Sequence, residues 1–207
     1  MKSLLKGKFI VLDGPDGCGK STQARLLRKW AQDNGVEAVS FRDPGTTVIG
    51  EKIRAILLDP THEEMNTRCE LLLYMAARAQ LYSESIAPAL KQGKCVILDR
   101  WLSSTCAYQG YAGGFGIGKV VKLAIDSLER AWPDVTIILD IDIEAAKPRL
   151  SAELDRMEQK SKDYHEKVRQ GFLELAEEME SFKVVDATDD IEAVHKNIMN
   201  HIRAALE

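Results

Sequence analysis

The chain has 207 residues, 45% of them hydrophobic and 29% charged, with a formal net charge of -4. That length suits one α/β domain with a substantial core and is short for two. The acidic balance excludes bulk binding to nucleic acid or to an anionic membrane surface, so any lysine or arginine beside an anionic ligand acts locally.

The first predicted element is an apolar strand, Phe9-Ile10-Val11-Leu12, closed by Asp13. Lys2, Lys6 and Lys8 precede it, but Asp13 interrupts the apolar run too early for a signal-peptide core or a membrane span. The expectation is a cytoplasmic chain, neither secreted nor membrane-embedded. Directly after the strand comes Gly14-Pro15-Asp16-Gly17-Cys18-Gly19-Lys20-Ser21, a complete G-x-x-x-x-G-K-[ST] phosphate loop that opens a helix-forming run. Glycines 14, 17 and 19 let backbone N–H groups converge on phosphate oxygens at a helix N-terminus, where the helix dipole also favours negative charge. Lys20 suits the terminal phosphates of a nucleotide, Ser21 suits Mg²⁺, and Pro15, Asp16, Cys18 and Thr22 complete the nucleotide-binding set. The alternative, a glycine-rich turn without a ligand, fits the strand and helix flanks poorly.

The following helix repeats apolar residues at Leu26, Leu27, Trp30 and Ala31 and stops at Asn34-Gly35. A second strand-like run ends at Arg42. The next long helix is expected to open with a Thr67-x-x-Glu70 capping box and to end or kink at Pro88. Cys95-Val96-Ile97-Leu98 then reads as a buried strand delivering Asp99 and Arg100, an acid suited to a Mg²⁺ water shell beside a cation suited to phosphate. A local salt bridge is the alternative reading. The glycines at 110, 113, 114, 116 and 118 follow no strand and are expected to form a flexible loop, so Gly118-Lys119 imitates a phosphate loop only superficially. Two more strand-like runs end at Asp140 and Asp186. Val168, Phe172, Leu175 and Met179 form one core stripe, and Ile191, Val194, Ile198 and Ile202 another.

Cys18, Cys69, Cys95 and Cys106 show neither C-x-x-C spacing nor disulfide-scaffold density, and the four histidines make no metal-ligand pattern with them. They read as reduced thiols. The alternation of strands and helices implies an α/β fold, a three-layer phosphate-loop NTPase with a five-stranded parallel sheet flanked by helices. In such a sheet ligands sit beyond the carboxyl ends of the strands, so Asp13, Arg42, Asp99, Asp140 and Asp186 should converge on one crevice.

The run Ile97-Leu98-Asp99-Arg100-Trp101-Leu102-Ser103-Ser104-Thr105-Cys106-Ala107-Tyr108-Gln109 resembles the signature of thymidylate kinases, which phosphorylate dTMP at the expense of ATP. Phe41-Arg42-Asp43-Pro44-Gly45 resembles the family's R-[ED]-P-G turn, and Tyr74-Met75-Ala76-Ala77-Arg78-Ala79-Gln80 its aromatic and arginine helix. Glu153-Leu154-Asp155-Arg156 and Val185-Asp186-Ala187 resemble its lid and adenine-side segments, so the match spans about residues 8 to 190 in consistent order. The resemblance implies that Tyr74 stacks on thymine while Arg78, one helical turn on, bonds the base edge. It places Tyr108 and Gln109 by the sugar and base, with Ser104 and Pro44 in the same substrate set. Asp16 would contact the deoxyribose 3′-hydroxyl, Arg42 and Arg100 the acceptor phosphate, and Asp186-Ala187 the adenine. A core aromatic with a solvated arginine at 74 and 78, and a structural Asp16, are the plain alternatives. The family also implies a homodimer.

When ATP meets a nucleoside monophosphate the attacking oxygen is already anionic, and the obstacle is repulsion between phosphates. Two unit charges 4 Å apart cost about 1 kcal/mol in water and about 4 kcal/mol at an effective dielectric of 20. Lys20, Mg²⁺ held by Ser21 and Asp99, and Arg100 supply part of the neutralisation. The loop carries no arginine, so the family pattern requires one from a short lid at about residues 147–158, where Arg149 and Arg156 are the candidates and ordinary helix charges the alternative. Pro148 interrupts the approach to that lid, Thr46 stands where the family turn has a second glycine, and Trp101 is bulkier than common choices. A guanine-nucleotide switch would need an N-K-x-D motif, which the sequence lacks. A kinase for another monophosphate or a nucleoside is the remaining alternative.

Overall fold

The computed structural model describes residues 2–150 and 153–207. The elements follow one another as α1 (Lys2–Leu5), β1 (Phe9–Asp13), α2 (Lys20–Asp33), β2 (Ala38–Arg42), α3 (Val48–Leu58), α4 (Thr67–Leu81), α5 (Ala87–Lys91), β3 (Cys95–Asp99), α6 (Leu102–Thr105), α7 (Ile117–Ser127), β4 (Val135–Asp140), α8 (Ile143–Ala146), α9 (Lys162–Glu178), β5 (Phe182–Asp186) and α10 (Ile191–Leu206). The strands form one parallel sheet in the order β2-β3-β1-β4-β5. All five strands end at the charged residues the sequence marks.

β1 and β3 are buried along their whole length, which explains their unbroken apolar runs: helices cover both faces of a parallel sheet. Two core clusters flank the sheet. One gathers Leu27, Ala31, Ile198 and Ile202 from α2 and α10; the other gathers Trp101, Phe172, Leu71 and Val120 from the opposite layer. The chain leaves β1 toward β3 and β2 on one side and β4 and β5 on the other. The phosphate loop therefore sits where the strand order reverses, the position at which open α/β sheets form a crevice.

Several local expectations are corrected. The cap of α4 is Asn66, whose side chain accepts from the N–H groups of Arg68 and Cys69, so Thr67-x-x-Glu70 forms no capping box. Asparagine accepts these donors without a β-branch and wins the position. The helix does not stop at Pro88 but runs on in helical conformation through a π-helical stretch at Tyr82–Ile86 into α5, with the wider π turn falling just ahead of Pro88. The glycine cluster is a loop only in part: Gly113, Gly114 and Gly116 lie in the turn before α7, and Gly118 lies within α7. Gly110 lies in a buried π-helical stretch, Cys106–Ala112, and its hydrogen, facing Ile117 and Val120 of α7, allows that close packing. In α10, Val194, Ile198 and Ile202 are buried, whereas Ile191 is 51% exposed because it opens the helix at the rim of the crevice.

Candidate active site

Beyond the carboxyl ends of the strands the chain encloses a cavity of about 840 Å³. Its floor is the phosphate loop. A Cβ at Gly14 (φ 136°) would lie 2.4 Å from the Leu139 carbonyl oxygen, and one at Gly17 (φ 76°) 2.7 Å from that of Ala146. Only glycine permits either approach, so the loop is seated against β4 and α8. Gly19 caps α2 without any side-chain hydrogen bond, which leaves the first N–H groups of that helix to an anion. Lys20 is buried, and its Nζ donates to the carbonyls of Pro15 (2.6 Å) and Gly14 (3.1 Å) within the cradle. Burial pushes the neighbouring Cys18 thiol up from its ordinary pKa, so it stays protonated.

Ser21 and Asp99 meet beside this floor, the serine hydroxyl donating to Asp99 Oδ2 at 2.5 Å. Asp13 organises the next layer. It is wholly buried, with Oδ1 accepting from Gly14 N (2.9 Å) and Ser104 Oγ (2.6 Å) and Oδ2 from Ser103 Oγ (2.6 Å) and Ser104 N (2.9 Å). Arg100, in the left-handed region at φ 68°, is held by its own N–H donating to Leu12 O (3.0 Å) and by the next N–H, that of Trp101, donating to Asp13 Oδ2 (3.3 Å). Its guanidinium pairs with Asp16 and donates to Ser104 Oγ (3.0 Å) and Gly14 O (3.2 Å). Burial works to raise the Asp16 carboxyl, but Arg100 and Lys20 outweigh it and hold it below the usual carboxylate range. Tyr108 completes the group by donating to Asp16 Oδ2 at 2.6 Å, its hydroxyl kept protonated by burial and by that carboxylate.

Tyr74, Arg78 and Gln109 line the same cavity. Arg78 is 1% exposed and is no solvated arginine: Nε donates to Asp43 Oδ2 (2.8 Å), and Nη2 lies 2.6 Å from the same carboxylate and donates to Thr105 Oγ1 (2.9 Å). Among the described residues its Nη1 meets only the Met75 sulfur, at 3.5 Å. Arg42, Pro44 and Ser104 also line the cavity, although Arg42 is drawn to Glu51 at 3.1 Å.

Four sequence candidates, Asp186, Gly14, Pro15 and Arg156, stand differently. The Asp186 carboxylate folds onto Thr188 and leaves the wall to Ala187. Gly14 and Pro15 contribute carbonyls to Lys20 rather than wall surface. The two lid arginines separate. Arg149 lines the cavity and donates to Ala187 O at 3.1 Å, whereas Arg156 is 6% exposed and spends its guanidinium on Leu57 O (2.7 Å) and Glu70 (2.5 Å). Residues 151 and 152 of the expected lid lie outside the described residues.

Sequence reasoning missed Arg54. It lines the cavity from α3, donates to Pro44 O at 3.1 Å, and forms no ion pair among the described residues. Burial lowers its pKa, aided by Arg42. A cation inside an otherwise apolar helical stripe was the signal available.

A family model described as thymidylate kinase matches residues 12–198. The chain belongs to the thymidylate kinase family. It is 43% identical over 204 residues to the thymidylate kinase of Thermoanaerobacter sp. (strain X514), covering 98% of this chain and all of that protein. To that of Symbiobacterium thermophilum it is 42% identical, covering 96% and 94% of the two chains. The crystal structure of thymidylate kinase from Ehrlichia chaffeensis superimposes with a TM-score of 0.79 at 30% identity, covering 96% of this chain and 99% of that one.

Both departures from the thymidylate kinase turn and signature have structural answers. Thr46 adopts φ 70°, costly for a β-branched residue, but its hydroxyl bonds the N–H (3.0 Å) and carbonyl (3.1 Å) of Arg42 while its own N–H donates to Glu51 at 2.6 Å. Trp101 is fully buried, edge-on to Phe9 at 5.4 Å, with its indole N–H donating to Ala131 O at 2.7 Å. The larger ring fills core and not site.

Proposed function

We propose that the chain transfers the terminal phosphoryl group of ATP to dTMP, with Mg²⁺, yielding dTDP and ADP. The observation that carries this reading is one cavity lined both by the phosphate loop and by Tyr74, Arg78 and Gln109, with Arg100 paired to Asp16 of the loop. An oxygen of the dTMP phosphate forms a bond to the γ-phosphorus of ATP as the bond from that phosphorus to the ADP oxygen breaks. No proton has to be removed from the nucleophile, so the residues act by position and charge.

Gly14 through Thr22 cradle the ATP phosphates, with Lys20 on the terminal ones and Ala187 beside the adenine. Ser21 and Asp99 offer two adjacent hard oxygens, which suits a small cation that takes its remaining ligands from phosphate and water. Bound there, Mg²⁺ neutralises charge on the transferring phosphates.

Arg100 and Arg42 face the acceptor phosphate, Ser104 fixes Arg100, and Asp16 with Tyr108 receives the deoxyribose. Tyr74 covers one face of thymine, Pro44 borders it, and Arg78 and Gln109 read its edge. Arg149 is the lid arginine of choice; Arg156 is already neutralised in a buried pair. The chain works as one unit over residues 1–207, with 147–158 as its lid.

Exposed apolar side chains on neighbouring helices, Ile49 and Ile56 of α3, Leu72 of α4 and Ile125 of α7, support a homodimer through that face. The four cysteines are free thiols, which supports a reducing, cytoplasmic setting. Among the described residues no helix is long and apolar enough to cross a membrane.

ADP release measured with MgATP and dTMP, dUMP, UMP, CMP, AMP or thymidine supplied separately tests the assignment. Preferred turnover of dTMP is expected. A preference for AMP, or for thymidine over its monophosphate, would replace it with a related kinase.

A further inference from the structure

Beneath the base-side wall lies a buried polar cluster that the phosphoryl-transfer chemistry does not use. Glu70, 6% exposed in the first turn of α4, receives Arg156 Nη2 on Oε2 at 2.5 Å and Gln109 Nε2 on Oε1 at 2.7 Å. Arg156 is itself anchored, its Nε donating to Leu57 O (2.7 Å) and its backbone N–H to Leu58 O (3.1 Å). We infer that Glu70, acting through Gln109, is a positioning residue that fixes the polarity with which the enzyme meets the pyrimidine edge, favouring thymine and uracil over cytosine. The inference rests on the dTMP reading of the cavity.

An ion-paired carboxylate can only accept hydrogen bonds. Gln109 must therefore turn its NH₂ toward Glu70, and this follows from chemistry rather than from the assignment of amide atoms. The amide oxygen of Gln109 is left with no donor among the described residues, at a position on the cavity wall. Beside it stands Arg78, whose Nη1 has, among the described residues, only a sulfur contact and no oxygen acceptor. The wall thus offers one donor and one acceptor. Thymine and uracil present a carbonyl acceptor at position 4 and an N–H donor at position 3, which match in turn. Cytosine presents an amino donor and a bare ring nitrogen, so both contacts become like against like. Sites that leave buried polar groups unpaired in the wrong complex discriminate strongly.

The Arg156 pair gives the device its rigidity. The Leu57 carbonyl holds the guanidinium and the Leu58 carbonyl the backbone of the same residue, the guanidinium holds the carboxylate, and the carboxylate holds the amide. A neutral amide in place of Glu70 could present either oxygen or NH₂ to Gln109 and would free it to flip.

The test compares kcat/KM for dTMP and dCMP in the parent enzyme, in Glu70→Gln and in Gln109→Met. Glu70→Gln is expected to lower the dTMP-to-dCMP ratio by about tenfold or more, the worth of one enforced hydrogen bond, with KM for dTMP rising more than kcat falls. An unchanged ratio accompanied only by a lower melting temperature would overturn the inference and leave Glu70 a packing residue. Gln109→Met leaves the Glu70–Arg156 pair in place and so keeps the test open should Glu70→Gln not fold. The ratio should collapse there too, and an unmoved ratio would overturn the inference. Parent enzyme that turns over dTMP while both variants keep its ratio refutes the role of Glu70 alone; parent enzyme inactive on dTMP refutes the substrate assignment as well.

Discussion

Asp13→Asn is the sharpest probe of how this site is held. The substitution preserves volume and replaces one acceptor oxygen with a donor. If the new NH₂ takes the place of Oδ2, it faces the backbone N–H groups of Ser104 (2.9 Å) and Trp101 (3.3 Å); if it takes the place of Oδ1, it faces only that of Gly14 (2.9 Å). The hydroxyls of Ser103 and Ser104 can rotate to suit either placement, so the second is cheaper. It still strands one buried backbone donor, at about 1–3 kcal/mol, and reduces the remaining bonds from charge-assisted to neutral. The expected loss is about 3 kcal/mol, which for a chain of this length corresponds to a fall in Tm of about 6–12 °C. Arg100, 3.8 Å from Asp13 and held in an unfavourable backbone region, also loses its support, so kcat with dTMP should fall along with Tm. Calorimetry and steady-state kinetics read both effects. A Tm within about 2 °C of the parent would refute the idea that Asp13 is the hub joining the phosphate loop to Arg100.

Arg149→Ala should lower kcat by about a thousandfold while barely changing KM for dTMP, whereas Arg156→Ala should cost about 3–5 kcal/mol of stability by leaving buried Glu70 without its partner; equal kinetic losses with no thermal difference would contradict this division. Tyr108→Phe removes the 2.6 Å donor to Asp16 and should raise KM for dTMP more than it lowers kcat, as steady-state titration of dTMP would show. Burial lowers the pKa of His195, which faces Gln23 at 3.1 Å, below its ordinary 6.5. The unfolded chain then binds this proton first, so the contribution to stability is present above pH about 6.5 and is lost as pH falls through the folded value. Replacing His195 by Asn should flatten that part of a Tm-against-pH curve, and an unchanged slope would count against it.

Much of the architecture was legible because it depends on short-range patterns. Unbroken apolar runs closed by Asp13 and Asp99 specify the central parallel strands, since a strand buried on both faces cannot alternate, and the runs ending at Arg42, Asp140 and Asp186 remain legible although Ser40, Thr136 and Lys183 interrupt them. The phosphate loop was legible for a similar reason: glycine at 14 and 17 answers a local backbone demand. Misreadings arose where two local signals competed, as when Asn66 took the cap expected of Thr67, or where packing overrode composition, as when α7 settled against Gly110.

The amino-acid order alone determined that a nucleotide site exists, which strand ends face it, and which arginines, tyrosines and carboxylates are available to it. Tertiary structure alone decided how those charges are shared. Arg149 and Arg156 look equivalent in the chain, yet the fold brings one to the cavity and neutralises the other against Glu70, 86 positions away. Pairing of that kind depends on distances across the core and on which partner has been stripped of water, and neither quantity is carried by residues that are neighbours in sequence.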